Sequence, residues 1–123
     1  MENILQTKSY AFAKRIVKAY SYLTIEKNEY ILSKQMLRSG TSIGANIRES
    51  RNAQSRADFA NKLQIALKEA DETAYWIDLI FDSGFIDDKI YKSMQADINE
   101  LISILTSSIK TVKYNGRKQL DTD

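Results

Sequence analysis

The sequence predicts an all-α protein, folded as an antiparallel up-down-up-down four-helix bundle. Three observations carry this prediction. The chain has no proline and only four glycines in 123 residues, too few turn-formers for an all-β or loop-rich fold. Four long stretches repeat apolar residues at spacings of three and four, the helical period. The stretches between them are short, and short connections force neighbouring helices antiparallel. A chain of this length is expected to form one domain, and 43% apolar residues are enough for one core.

The first helix is expected from about Asn3 to Glu26. Its core line is Leu5, Phe12, Ile16, Ala19 or Tyr20, and Leu23, with Ala13 and Val17 on the flank. Lys8, Lys14, Arg15 and Lys18 lie mostly opposite. A basic amphipathic helix can lie on membranes or nucleic acid, but its apolar line matches those of three other helices, which favours a place in a bundle. The second helix runs from Ile31 or Ser33 to Arg51. Leu32, Met36, Ile43 and Ile47 share one face at about 100° per residue. Ser55-Arg56-Ala57-Asp58 resembles a capping box with aspartate in the place of glutamate, so the third helix should start near Arg56 and run to Ser83. Its core line is Phe59, Leu63, Ala66, Ala70, Thr73, Ile77, Ile80 and Gly84, with spacings of four and three as in a bundle seam. Gly84 is placed as a C-cap, with Phe85 and Ile86 folding back over the end. Asp87-Asp88 opens the fourth helix, with acids suited to its N-terminus. Its core line is Ile90, Met94, Ile98, Leu101, Leu105, Ile109 and Val112. Residues 114–123 lack periodicity and are expected to fray.

The middle of the chain, Leu37 to Trp76, carries most of the patterned polar residues. One stripe on the second helix holds Gln35, Arg38, Ser42, Asn46 and Glu49. A second line on the third helix holds Lys62, Ile65, Glu69, Glu72, Trp76 and Leu79. Folding the two helices about a turn near Asn52 to Gln54 puts Arg38 opposite Glu69, Gln35 opposite Glu72 and Asn46 near Lys62. Glu49 then comes within reach of Asp58 and Lys62. Two readings stand: ion pairs that fix the register, or a ligand or partner site. Gly40 and Gly44 lie four apart on the other flank. Glycine in a helix interior costs about 1 kcal/mol relative to alanine, so something is expected to pack close there.

Composition excludes several chemistries. With no cysteine and no histidine, disulfides, thiol catalysis, thiolate or imidazole metal sites and histidine acid–base chemistry are ruled out. The Glu-x-x-His pairs of carboxylate di-metal bundles cannot occur. No apolar run approaches the ~20 residues of a membrane span, and the polar N-terminus has no apolar signal region. A cytoplasmic protein without membrane partners is expected. Net charge is only +2, unevenly placed. Residues 30–68 hold seven basic and two acidic side chains, and residues 69–88 hold seven acidic and no basic ones.

The run Ser42, Asn46, Ile47 and Glu49, then Phe59, then Ile65-Ala66-x-Lys68-Glu69-Ala70-x-Glu72-Thr73-x-Tyr75-Trp76 resembles the 23S rRNA-intervening-sequence protein family, also called the four helix bundle protein family. These motifs cover the middle third of the chain, and the hydrophobic pattern extends the match to almost all of it. Ser50 stands where many relatives have glycine. The resemblance implies a ribosomal-protein-like helical bundle that forms cyclic homopentamers. A related branch resembles the accessory protein of diversity-generating retroelements, which implies RNA or DNA, and another protein, as partners.

Three function readings follow. The first is a self-assembling scaffold, with an oligomer interface at Ile65, Trp76 and Leu79 beside Leu37, Gly40 and Gly44. The second is a nucleic-acid-associated protein that contacts phosphates through Lys14, Arg15, Lys18, Lys34, Arg48, Arg51, Arg56 and Lys68, with salt-dependent affinity. The third is an enzyme using Glu49, Glu69 and Glu72, disfavoured by the neutralising Arg38 and Lys62 and by the absence of a nucleophile–base set or phosphate loop. No catalytic residue, metal site or cofactor is expected.

Overall fold

The computed structural model describes residues 2–122, with side chains described over residues 4–116. Four helices follow one another: α1 Glu2–Ile25, α2 Leu32–Ser50, α3 Arg56–Asp82 and α4 Asp88–Thr122. They pack in ring order, α1 on α2, α2 on α3, α3 on α4 and α4 on α1, and among the described residues the backbones of the diagonal pairs stay apart. The fold is the antiparallel four-helix bundle that the periodicity predicts. The core is formed by the expected lines, Leu5, Phe12, Ile16 and Leu23 from α1; Met36, Ile43 and Ile47 from α2; Leu63, Ala66, Ala70, Ile77 and Ile80 from α3; and Met94, Ile98, Leu101, Leu105 and Ile109 from α4.

Each helix end has a local cause. The α1–α2 connection turns at Asn28, with φ of 54°, a left-handed conformation that asparagine tolerates better than most residues. The next residue, Glu29, is buried, and its carboxylate accepts from the backbone N–H groups of Ile31 (3.1 Å), Leu32 (2.9 Å) and Ser33 (2.7 Å). It satisfies the orphan donors at the start of α2. Burial alone would raise its pKa, but these backbone hydrogen bonds and the Ser33 hydroxyl outweigh burial and hold it below the ordinary value.

At α3 the predicted capping box forms in altered shape. The Ser55 hydroxyl accepts from the Asp58 N–H at 3.0 Å. The shorter Asp58 side chain accepts from Gln54 N–H at 3.2 Å, one residue before the position a glutamate would reach in the usual box. At the other end, Gly84 has φ of +85°. Phe85 N–H bonds to Ile80 O and Gly84 N–H to Phe81 O, the six-to-one and five-to-two pairs of a Schellman motif. Ile86 is buried behind it. Asp87 then caps α4 by accepting from Ile90 N–H at 2.8 Å.

Past its apolar line, α4 continues as helix through Gly116 to Thr122. A Cβ built on Gly116 would lie 3.3 Å from Arg56 Cδ, so α3 still flanks α4 at that point.

Candidate functional site

The α2–α3 seam carries the polar stripes, and most of the predicted register is present. Arg38 pairs with Glu69 at 3.4 Å and with Glu72 as well. Lys62 pairs with Glu49 at 3.5 Å. Glu69 keeps 13% of its side-chain surface exposed while Arg38 keeps 53%, so the cluster lies on the rim of the seam. Beneath it, the hydroxyls of Ser39 and Thr73 lie 2.9 Å apart across the two helices, and both residues are fully buried. This buried polar contact fixes the register more firmly than the exposed pairs, because a buried hydroxyl without a partner is costly.

Other members of the stripe behave differently. The Asn46 side chain donates to Ser42 O on its own helix at 2.9 Å instead of approaching Lys62. Ser42 Oγ bonds back to Arg38 O at 2.7 Å, the habit of serine in a helix interior. Gln35 is exposed; the two-pronged guanidinium of Arg38 takes both carboxylates, and Glu72 is left with no need of it.

The glycine flank requires a correction. Gly40 is buried, and a Cβ built on it would lie 2.9 Å from Ile16 Cγ1. At Gly44 the nearest atoms are Ser9 Oγ at 3.4 Å and Ser9 O at 3.5 Å. The close neighbour implied by the glycine spacing is α1 of the same chain. Gly40 and Gly44 therefore do not belong to an outer oligomer face, and Leu37 beside them packs on the core.

The second apolar line of α3 stays closer to the surface. Trp76 is half-buried with one side on the core. Its Nε1 donates to Glu72 at 3.4 Å, and its ring meets Tyr75 edge-on at 5.0 Å. Ile65 is 37% exposed and Tyr75 58% exposed, and Leu79 is half-buried.

The eight basic candidates do not form one surface. Arg48, Arg51 and Arg56 are exposed around the α2–α3 connection. Lys18 and Lys34 lie toward the opposite end, and Lys14, midway along α1, lies 5.3 Å over the Tyr10 ring. Arg15 is committed to Asp97 on α4 at 2.7 Å. Lys68 is exposed midway along α3.

Several contacts escaped the sequence reading. Besides Glu29, Lys8 pairs with Glu100 at 3.2 Å. The Tyr91 hydroxyl donates to Asp78 at 2.7 Å while its ring stacks on Phe81 at 4.1 Å. That hydrogen bond leads the causes that raise the Tyr91 pKa, with desolvation and the charges of Asp78 and Asp82 behind it. For Glu29 a signal existed: an acid four residues before a serine at the start of an apolar line.

Residues 1–107 match the family described as 23S rRNA-intervening sequence protein. The chain belongs to that family. The 23S rRNA-intervening sequence fold also appears in a similar solved structure, from Bacteroides thetaiotaomicron, described as a protein with unknown function from the S23 ribosomal protein family. The two share 53% identity over 89% of this chain and 97% of that one, with a TM-score of 0.87. No curated protein matches. In this 23S rRNA-intervening sequence protein, the motif residues Ser42, Asn46, Ile47, Glu49, Phe59 and Ile65 to Trp76 all fall on α2 and α3. They supply part of the core of the seam, the Thr73 half of its buried hydroxyl pair and the carboxylates Glu49, Glu69 and Glu72 of its charged rim.

Proposed function

We propose that this family member is a non-enzymatic cytoplasmic scaffold that assembles with copies of itself through the outer face of α3. The observation that carries this reading is Trp76: one side packs on the core and the other stays open, with exposed Ile65 and Tyr75 on the same helix. Tryptophan and tyrosine are enriched among interface hot spots. The Arg38, Glu69 and Glu72 cluster beside it is held within the chain and supplies a polar rim. A head-to-tail contact whose rotation closes makes a ring, and the resemblance favours five subunits. With no histidine or cysteine, an enzyme would have to rely on carboxylates, lysine, tyrosine or hydroxyls, and Arg38 and Lys62 already neutralise the carboxylates of the seam. Sedimentation of the wild type and of Trp76→Ala with Leu79→Ser tests the reading. Assembly by the wild type, lost in the variant, is expected; a wild-type monomer overturns it.

A second reading, association with RNA or DNA, rests on Arg48, Arg51 and Arg56. They are exposed around one connection, and among the described residues none pairs with a carboxylate. Such a cluster neutralises phosphates without reading sequence. Charge reversal at all three should weaken binding and flatten its salt dependence. Purified protein with no nucleic-acid absorbance and no binding at low salt removes this reading.

A further inference from the structure

The bundle has two unlike ends. At the end formed by the α1–α2 and α3–α4 connections, Ile25 and Ile31 are 74% and 75% exposed, the highest values among the described large apolar side chains, and Tyr30 is 57% exposed. The segment that carries them is well fixed. Asn28 takes the left-handed turn, the Tyr30 hydroxyl donates to the Asn28 side chain at 3.1 Å, and Glu29 grips the N–H groups of Ile31 to Ser33. This is a preformed apolar knob, and it needs no ordering on contact.

The opposite end has a hollow. Leu5 of α1, Phe59 and Leu63 of α3, and Ser107, Thr111 and Val112 of α4 line an open depression of about 280 Å³. It opens on the α4 side of Leu5, Phe59 and Leu63, across from the end of α2. A smaller hollow lined by Arg51, Ile47 and Ser50 adjoins it and shares Leu5, Phe59 and Leu63.

Charge differs between the ends in the same sense. Glu26, Asp82, Asp87 and Asp88 lie around the knob end, with Lys27, Lys34 and Lys89, which leaves a small acidic excess. Arg48, Arg51, Arg56, Lys110 and Lys113 lie around the hollow end, with Asp58 and with Glu49, which is already paired to Lys62. Opposite potentials steer two surfaces together and suppress like-end encounters.

We propose that a second copy of this chain occupies the hollow, its Ile25–Tyr30–Ile31 knob seated against Leu5, Phe59, Leu63 and Val112 of the first. The contact is heterologous, end to end, so every copy keeps one free knob and one free hollow and the product is an open stack. It is independent of the lateral contact through Trp76 and adds to it: lateral contacts set the width of the assembly, and end contacts set its length. Screening of the end charges should shorten stacks as salt is raised.

The test uses two surface variants, Ile31→Glu and Val112→Arg, each checked for unchanged helical content and thermal midpoint. Ile31→Glu destroys the knob and keeps the hollow; Val112→Arg blocks the hollow and keeps the knob. In a sedimentation dilution series, the wild type should form species that lengthen with concentration. Each variant alone should stop at the size set by lateral contacts. An equimolar mixture of the two should form a species larger than either alone, because one intact knob meets one intact hollow. Wild type whose size equals that of Ile31→Glu at every concentration overturns the proposal. So does a mixture that sediments as its separate components. Neither outcome depends on Trp76, so failure here leaves the lateral reading standing, and failure of the lateral reading leaves single-file stacks.

Discussion

The α2–α3 seam and the α1–α4 seam are built on different principles. Between α2 and α3, a line of small residues, Ala66, Ala70 and Thr73, lets the helices close over Met36, Ser39 and Ile43, and all six are buried. The charged clusters lie outside this contact. Between α4 and α1 the helices approach least of all adjacent pairs. A hollow of about 160 Å³ opens between Ala11, Phe12 and Leu101, bridged by Lys8 to Glu100 and Arg15 to Asp97 with every partner at least a third exposed. One seam is closed by packing and a buried hydrogen bond, and the other is spanned by ion pairs over a gap. Consecutive helices can be matched residue by residue, whereas the helices from the two halves of the chain meet only after everything between them is in place.

The largest effects should come from truncating the cores of the two seams. Buried leucine or isoleucine to alanine costs about 2–5 kcal/mol, with the value set by how well the site can collapse. Ile43→Ala should fall near the top of that range and Leu101→Ala near the bottom, because α1 is free to move toward α4. Equal losses in urea unfolding would erase the distinction. Next comes Thr73→Val, which keeps the shape but strips the hydroxyl from Ser39; about 1–2 kcal/mol is expected, the cost of a buried group left short of a partner. A loss within error would mean that the exposed charges, and not the hydroxyls, hold the register.

Smaller effects separate the ion pairs. Arg38→Ala leaves Glu69 largely covered and without its partner, and about 1 kcal/mol should be lost; Asp97→Asn should cost less than about 0.5 kcal/mol, as exposed pairs do, and both losses should shrink with salt. Reversal of that order in matched denaturation curves would make α1–α4 the stronger electrostatic seam. The smallest effect concerns Glu29. Its folded pKa lies below the ordinary 4.5. The stability it adds is complete above the unfolded value and is lost as pH falls through the folded value. Glu29→Gln should flatten the acid side of the thermal-midpoint profile below about pH 4.5 and leave the loosely packed α1–α4 seam unchanged. An identical acid slope in the variant would assign that slope to other carboxylates.

Much of this fold was legible because helical periodicity reports directly on burial. Every residue on the α3 core line from Leu63 to Ile80 is buried. The Arg38–Glu69 and Glu49–Lys62 pairs followed from one antiparallel register between neighbours. Legibility ended where a residue's partner lies far away or off the periodic pattern. Gly40 announced a close approach, but nothing in its spacing said that the neighbour was Ile16. Arg15 read as a free cation because Asp97 lies 82 residues away. Glu29 lies in a connection, where no period marks a buried carboxylate.

The open α1–α4 seam also has a consequence in time. The α2–α3 contact joins neighbours and closes after a short excursion of the chain, whereas Arg15 and Asp97 are brought together only by closing a loop of some eighty residues, and non-local closure is what slows folding. The rate-limiting nucleus should therefore be the central hairpin, with α1 docking onto α4 late. Thr73→Val should slow refolding, whereas Leu101→Ala should mainly hasten unfolding. The reverse pattern in stopped-flow kinetics would place the first committed contact at the outer helices.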